Sequence, residues 1–227
     1  ELARLKADFS AMVAHELDSP LSAIRKLNEM INARGGNSEV RGYATATMTG
    51  EIEALNALID DVRAAGRDEF EVHPRPLPVG TLIEEAKVYA GLLPGGHPVT
   101  TAFLGGLDAR EMVWADPERI AQVLRNLLIN AAKYSPTGAP IELRASLGAE
   151  QVRIEVVDQG AGVSAEDVDL IFEKFGRGRD GEGREVAGKG LGLYISQRIM
   201  GGHGSRLTVR PGPHGGSVFV FDLDIAR

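Results

Sequence analysis

The chain has 227 residues, a formal net charge of −7 and no cysteine. The missing thiols exclude disulfides, thiolate metal sites and a cysteine nucleophile, and suit a reducing cytoplasm. The acidic balance without a basic stripe argues against a nucleic-acid partner, and no apolar run approaches the roughly 18 residues of a membrane span.

Residues 1–66 read as helix, turn, helix. Leu2, Leu5, Phe9 and Met12 recur at helical steps, as do Leu17, Leu21, Ile24 and Ile31. Gly35-Gly36-Asn37-Ser38 breaks the pattern, and Ser38 suits the N-cap of a second helix. Met48, Ile52, Leu55, Ile59 and Val62 then trace a heptad seam. So thin an antiparallel hairpin cannot bury its own stripes, which predicts a second copy and a dimeric four-helix bundle built from residues 1–34 and 38–66, the alternative being a hairpin packed on its own C-terminal half. The chain opens inside a helical pattern at Glu1 and Leu2 without an initiating Met. A fragment of a longer protein is expected, with any membrane anchor or sensor lying outside it.

Residues 67–78 carry Pro74, Pro76 and Pro78 and read as a linker passing into an edge strand. The pattern then alternates through residues 67–227 as an α/β sandwich. A helix is expected over Thr81–Leu93 and a strand over Val99–Phe103, followed by a strong helix over Asp116–Tyr134. In that helix Asp116 is the N-cap and Pro117 the first helical residue. Ile141–Leu147 and Gln151–Val157 form a hairpin around Gly148-Ala149-Glu150. A helix from Gly192 to about Met200 precedes the strands Leu207–Arg210 and Ser217–Leu223. This order implies helices layered on one face of a mixed sheet.

Chemistry-bearing residues fall into an ordered set. His15 and Glu16 set an imidazole beside a carboxylate, and Pro20 bends the helix after them. Alone, that pair more often marks a solvated surface than a reactive centre. Asn126 and Asn130 share one helix face, with Lys133 and Tyr134 a turn later. An amide oxygen can join a Mg²⁺ that already carries phosphates and water, and a lysine neutralises phosphate as a point charge. The same asparagines would also suit capping or solvent. Asp158, Gly160 and Gly162 follow a strand, where the glycines permit a close approach and the carboxylate can accept a hydrogen bond from an exocyclic amine such as adenine's. Phe172, Lys174 and Phe175 lead into a polar run over residues 176–187 that reads as a lid tethered by the two aromatics. Gly188-Lys189-Gly190-Leu191-Gly192-Leu193 then opens a helix, where free N–H groups can hold an anion. Gly215-Gly216-Ser217-Val218-Phe219 closes the series.

In this order, the motifs resemble those of the sensor histidine kinases of two-component signalling over nearly the whole chain. His15–Leu21 resembles the H box of the phosphoacceptor and dimerisation domain, Asn126–Tyr134 the N box, and Asp158-x-Gly160-x-Gly162 the first glycine box. Phe172–Phe175 resembles the F box and Gly188–Leu193 the second glycine box. The resemblance implies that His15 takes the γ-phosphoryl group of ATP while Glu16 orients or deprotonates the ring. It further implies that Asn130 holds Mg²⁺ with Asn126 adjacent, that Lys133 and Tyr134 approach the phosphates, and that Asp158 reads adenine. Lys174 and Arg177 fall where the family places basic groups near the transferring phosphate. The phosphoryl group would then pass to an aspartate in the receiver domain of a response regulator, docked where Ser22, Arg25, Lys26 and Glu29 face outward by helical spacing.

Three positions depart from the family pattern. Asp18 stands where a basic residue is common, and Ser19 where Thr or Asn positions water for dephosphorylating the partner. Met200-Gly201-Gly202-His203-Gly204 departs from the usual His-Gly-Gly, and His203 reads as a turn residue. Two other classes of protein share part of this pattern. One is an ATPase of the gyrase, chaperone or mismatch-repair kind, which would have Glu where Asn126 stands. The other is a binding scaffold with a degraded kinase half.

Overall fold

The computed structural model describes residues 17, 18, 20–31, 71–178, 190–213 and 215–227, and positions 42, 44, 45, 47, 48, 52 and 55. It divides into two units, Glu1–Asp68 and Glu69–Arg227. Every described residue of the first unit is helical. Leu27 and Ala44 are buried there, whereas Leu21 and Ile52 are 48% and 47% exposed. The turn at Gly35-Gly36, Ser38 and the seam positions Leu2, Leu5, Phe9, Met12, Ile59 and Val62 lie outside the described residues, as do His15, Glu16 and Ser19.

The second unit starts with strand β1 (Arg75–Pro78), which pairs antiparallel with β3 (Met112–Ala115) as a separate two-stranded sheet. Its prolines lack the backbone donor that an inner strand needs, so the expected edge strand forms. Its partner β3 was not read from the sequence. Helix α1 (Val79–Ala90) follows without a loop, two residues earlier than expected, because Pro78 itself takes the extended N-cap position. Its first donors find partners in the segment before β3: Val79 N–H donates to Glu111 O at 2.9 Å and Gly80 N–H to Ala109 O at 2.8 Å. A Cβ at Gly80 would lie 2.7 Å from that same Ala109 oxygen, so only glycine fits this close approach.

Helix α2 (Pro117–Tyr134) begins as its sequence dictates, with the Asp116 side chain accepting from Arg119 N–H. Ile120, Val123, Leu124, Leu127, Leu128 and Ala131 form its buried stripe. Strands β4 (Ile141–Leu147) and β5 (Gln151–Val157) form the expected hairpin, closed by Gly148 N–H to Gln151 O at 2.8 Å. With β2 (Val99–Leu104), β6 (Thr208–Pro211) and β7 (Ser217–Asp224) they build a five-stranded sheet in the order β2-β4-β5-β7-β6. The β2–β4 pair is parallel and the others antiparallel, so the sheet is mixed.

Side-chain alternation assigns the two faces. Ile141, Leu143, Val152, Ile154, Val156, Phe221 and Leu223 are buried on the face carrying α1 and α2. The other face carries the ion pairs Arg153–Asp222 at 2.9 Å and Arg210–Glu155 at 2.7 Å. Helix α3 (Gly192–Gly202) packs on α2.

Candidate functional site

Strand β5 delivers Asp158 to a buried position, 5% exposed, at the edge of the helical layer. Its Oδ1 accepts from Gly160 N–H at 2.8 Å and from Ser217 N–H at 3.0 Å, while its own N–H donates to Ser217 O at 2.9 Å. The carboxylate therefore joins the turn after β5 to the start of β7. Burial pushes its carboxyl above the usual range, although the N–H groups of Gly160 and Ser217 pull the other way.

The glycines of this turn are required by its neighbours. A Cβ at Gly160 would sit 2.9 Å from Tyr134 O, and one at Gly162, with φ +79°, would sit 3.1 Å from Gly216 O. Gln159 N–H also reaches Ser135 Oγ at 3.3 Å. The turn Asp158–Gly162, the C-terminal end of α2 and the Gly215-Gly216 segment are thus one assembly.

On α2, Asn130 is half-buried and Lys133 and Tyr134 are exposed, with the Lys133 ammonium 5.1 Å from the Tyr134 ring centre. Asn126 behaves differently from its helix-face partner. Its Nδ2 donates to Gly192 O at 3.1 Å and Ser196 Oγ at 3.2 Å, so this amide ties α2 to the first turn of α3. A Cβ at Gly192 would stand 3.4 Å from that amide, an ordinary van der Waals contact that a small side chain could make. Leu191, at the N-cap, offers no side-chain acceptor to the first turn of α3.

The segment Leu170–Phe172 forms a single 3₁₀ turn, held by buried Ile171, with Phe172 and Phe175 half-buried beside it. Phe175 adopts φ +68°, uncommon for a side chain of this size, and its N–H donates to Gly190 O at 2.8 Å. Gly190 is itself left-handed at φ +62°, and a Cβ there would collide with the Phe175 backbone at 2.6 Å. The backbone of Phe175 thus joins the aromatic motif to the second glycine motif. Lys174 lies 5.5 Å from the Phe175 ring centre, and Arg177 is half-buried. Gly188, Lys189 and residues 179–187 of the expected lid lie outside the described residues.

His203 is more than a turn residue. It ends α3, donates from Nδ1 to Ile199 O at 2.9 Å, and accepts at Nε2 from Asp116 N–H at 3.0 Å, which assigns the Nδ1–H tautomer. Asp116 Oδ2 in turn accepts from His73 N–H at 3.0 Å. Burial acts to raise the Asp116 carboxyl, but the N–H groups of His73 and Arg119 and the charge of Arg119 hold it below the usual range. With 87 residues separating His203 from Asp116, no local spacing could have exposed this pairing.

Among the described residues no group of His, Cys, Asp or Glu could hold a metal ion. A recess of about 500 Å³ on the opposite sheet face, lined by Arg153, Glu155, Arg206, Arg210 and Asp222, contains none of the motif residues.

Residues 115–227 match the model of the histidine kinase-, DNA gyrase B-, and HSP90-like ATPases, and residues 5–71 that of the His Kinase A (phospho-acceptor) domain. The signal transduction histidine-protein kinase BaeS of Escherichia coli (strain K12) is 28% identical over 99% of the chain and 48% of its own length. The sensor-like histidine kinase SenX3 of Mycobacterium tuberculosis (strain ATCC 25618 / H37Rv) is 30% identical over 98% of the chain and 55% of its own length. The crystal structure of full-length ShkA in complex with AMPPNP superposes with a TM-score of 0.65 at 25% identity, covering 97% of this chain and 46% of that one. The chain spans about half the length of these relatives.

Proposed function

We propose that this chain, which belongs to the sensor histidine kinases by its phospho-acceptor and ATPase domains, autophosphorylates His15 from ATP and passes the phosphoryl group to an aspartate of a response regulator. The observation that supports the reading is that the turn after Asp158 packs on the end of α2 while Asn126 of the same helix bonds the glycine-opened start of α3. That assembly supplies an acceptor for an adenine amine, an amide for a metal, and backbone donors for phosphate. We assign residues 1–66 to the phosphoacceptor hairpin and 67–227 to the catalytic domain, with the linker at about 67–78.

The roles follow from the chemistry each side chain can perform. One neutral ring nitrogen of His15 attacks the γ-phosphorus, the bond to the β-phosphate oxygen breaks, and ADP leaves. The proton on the other ring nitrogen is held or taken by Glu16. Such a reaction needs positioning and charge stabilisation above all. Lys133, Lys174, Arg177 and Lys189 supply positive charge, Tyr134 a phenol, and Gly188, Gly190, Leu191, Gly192 and Leu193 the backbone around the phosphates. Asn130 would hold Mg²⁺. A single neutral amide suits an ion that arrives already carrying a triphosphate, which agrees with the lack of a carboxylate cluster among the described residues. When bound, Mg²⁺ neutralises charge on the phosphates. Asn126 cannot act as a general base, and its amide is engaged by Gly192 and Ser196, which favours transfer to histidine over hydrolysis.

The homodimer is supported by the exposure of seam residues Leu21 and Ile52 in a single copy. Its expected mass in solution at micromolar concentration is that of two chains, and a monomer would remove the four-helix bundle. Ser22, Arg25, Lys26 and Glu29 are exposed, as a docking face for the receiver domain requires. Ser19 retains a hydroxyl for dephosphorylating that partner. No described helix is long and apolar enough to cross a membrane. We place the chain in the cytoplasm as the catalytic core of a sensor whose anchor, if any, lies outside it.

Incubation with Mg²⁺ and γ-labelled ATP should give an acid-labile, base-stable label. Asn130→Ala is expected to slow labelling by about 10²-fold, the order of effect for removing one charge-stabilising contact from a transition state. Normal labelling by that variant would remove the metal assignment.

A further inference from the structure

Helices α2 and α3 meet at two polar points. At one, Asn126 bonds Gly192 and Ser196 at the start of α3; at the other, Asp116 N–H bonds His203 at its end. The helices therefore run antiparallel. Fully buried Ile120 and Val123 on α2, and Ile195 and Ile199 on α3, belong to the stretches between those points. Ridges-into-grooves packing of these side chains allows a small set of seatings, and directional bonds favour one of them.

The distal bond is built to be rigid. Nδ1–H of His203 is tied to Ile199 O, which holds the ring at one angle and presents Nε2 to Asp116. Asp116 is immobilised by its own carboxylate, which accepts from Arg119 N–H within α2 and from His73 N–H in the segment entering the second unit. One residue thus joins three elements.

We propose that His203 and Asp116 are positioning residues of the nucleotide site, that their clasp sets the axial register of the phosphate-binding helix against the Asn130 helix, and that His73 fastens the incoming chain to the same point. The inference rests on nucleotide binding at this site and extends it to groups that touch no ligand. A slip of one residue moves a helix about 1.5 Å. A 1 Å misplacement at a reacting centre can cost about 10²-fold.

Binding of AMPPNP with Mg²⁺ to the full chain tests it, measured well below each variant's unfolding temperature. His203→Phe keeps the ring but removes the acceptor, and is expected to weaken binding by roughly tenfold or more. Gln can place Oε1 near the position of Nε2, so His203→Gln should stay within about threefold of the unaltered chain. A packing role reverses that order, because Phe fills the space better; Phe equal to or better than Gln would overturn the clasp. Absence of AMPPNP binding in the unaltered chain would instead overturn the functional reading, and the clasp with it. Asp116→Asn keeps a good N-cap and the backbone donor while removing one acceptor. Amide exchange at His73 should then accelerate about tenfold or more, the order of a lost bond near 1.4 kcal/mol, while Arg119 stays protected. Unchanged protection at His73 would overturn the fastening.

Discussion

With His15 replaced by Gln, the chain is expected to bind Mg²⁺–ATP as before and to take up no acid-labile phosphoryl label. Glutamine approaches the size and polarity of the imidazole, but its amide nitrogen has no available lone pair, so the phosphorus meets no nucleophile. Label should fall to background. His15 belongs to the first unit and Asp158, Asn130 and the α3 start to the second, so nucleotide affinity should change by less than about threefold, under 0.7 kcal/mol. That separation makes the variant diagnostic. Loss of both label and binding would indicate a folding defect, whereas full label in His15→Gln would move the phosphoacceptor elsewhere.

Asp158→Asn is expected to have opposite effects on binding and stability. In the proposed role the carboxylate accepts from the adenine amine, and an amide turned toward it would oppose donor to donor. A hydrogen bond to a charged group contributes about 1.5–3 kcal/mol, so nucleotide affinity should drop by roughly 10- to 150-fold. The fold should not suffer equally. The Asn side-chain oxygen can still accept from Gly160 and Ser217 N–H. Burial raises the Asp158 carboxyl above its unfolded value, so its protonated form is favoured on folding. The contribution to stability is full below the unfolded pKa of 3.8 and is lost as pH rises through the raised folded value. At neutral pH the ionised carboxylate is therefore a cost that the amide removes. Urea unfolding at neutral pH should show the variant as stable as the unaltered chain or more so, with its relative advantage shrinking as pH falls through the Asp158 titration. Unchanged ATP affinity would withdraw Asp158 as the adenine reader.

The sequence was most legible where local chemistry decides structure. Asp116 and Pro117 mark the start of α2 because a cap and a fixed φ act within one turn. The β4–β5 hairpin is written in its alternation and in Gly148. Strand β3 was missed because four residues, Met112–Ala115, carry too little pattern and their partner is a proline-bearing strand. The early start of α1 was missed for a related reason: its first donors are satisfied by Glu111 and Ala109, some thirty residues away in sequence. At the site, shared helix face placed Asn126 with Asn130, yet only tertiary packing assigns the Asn126 amide to Gly192 and Ser196. His203 stands in the turn its sequence suggests, but its bond to Asp116 is set by how two helices pack, which no window of neighbouring residues contains.

The strand order carries a consequence for synthesis of this protein. Ser217, which holds Asp158 in place, opens β7, and β7 lies between β5 and β6 inside the sheet although it is the last of the sheet's strands in chain order. A ribosome that has delivered everything through Gly216 has produced α2, α3 and nearly every residue of the proposed nucleotide site. The growing chain still lacks the strand that joins β5 to β6 and, with Ser217, one of the two N–H donors that hold the Asp158 carboxylate. The sheet, and the proposed nucleotide site with it, should therefore close only once residue 224 has cleared the exit tunnel.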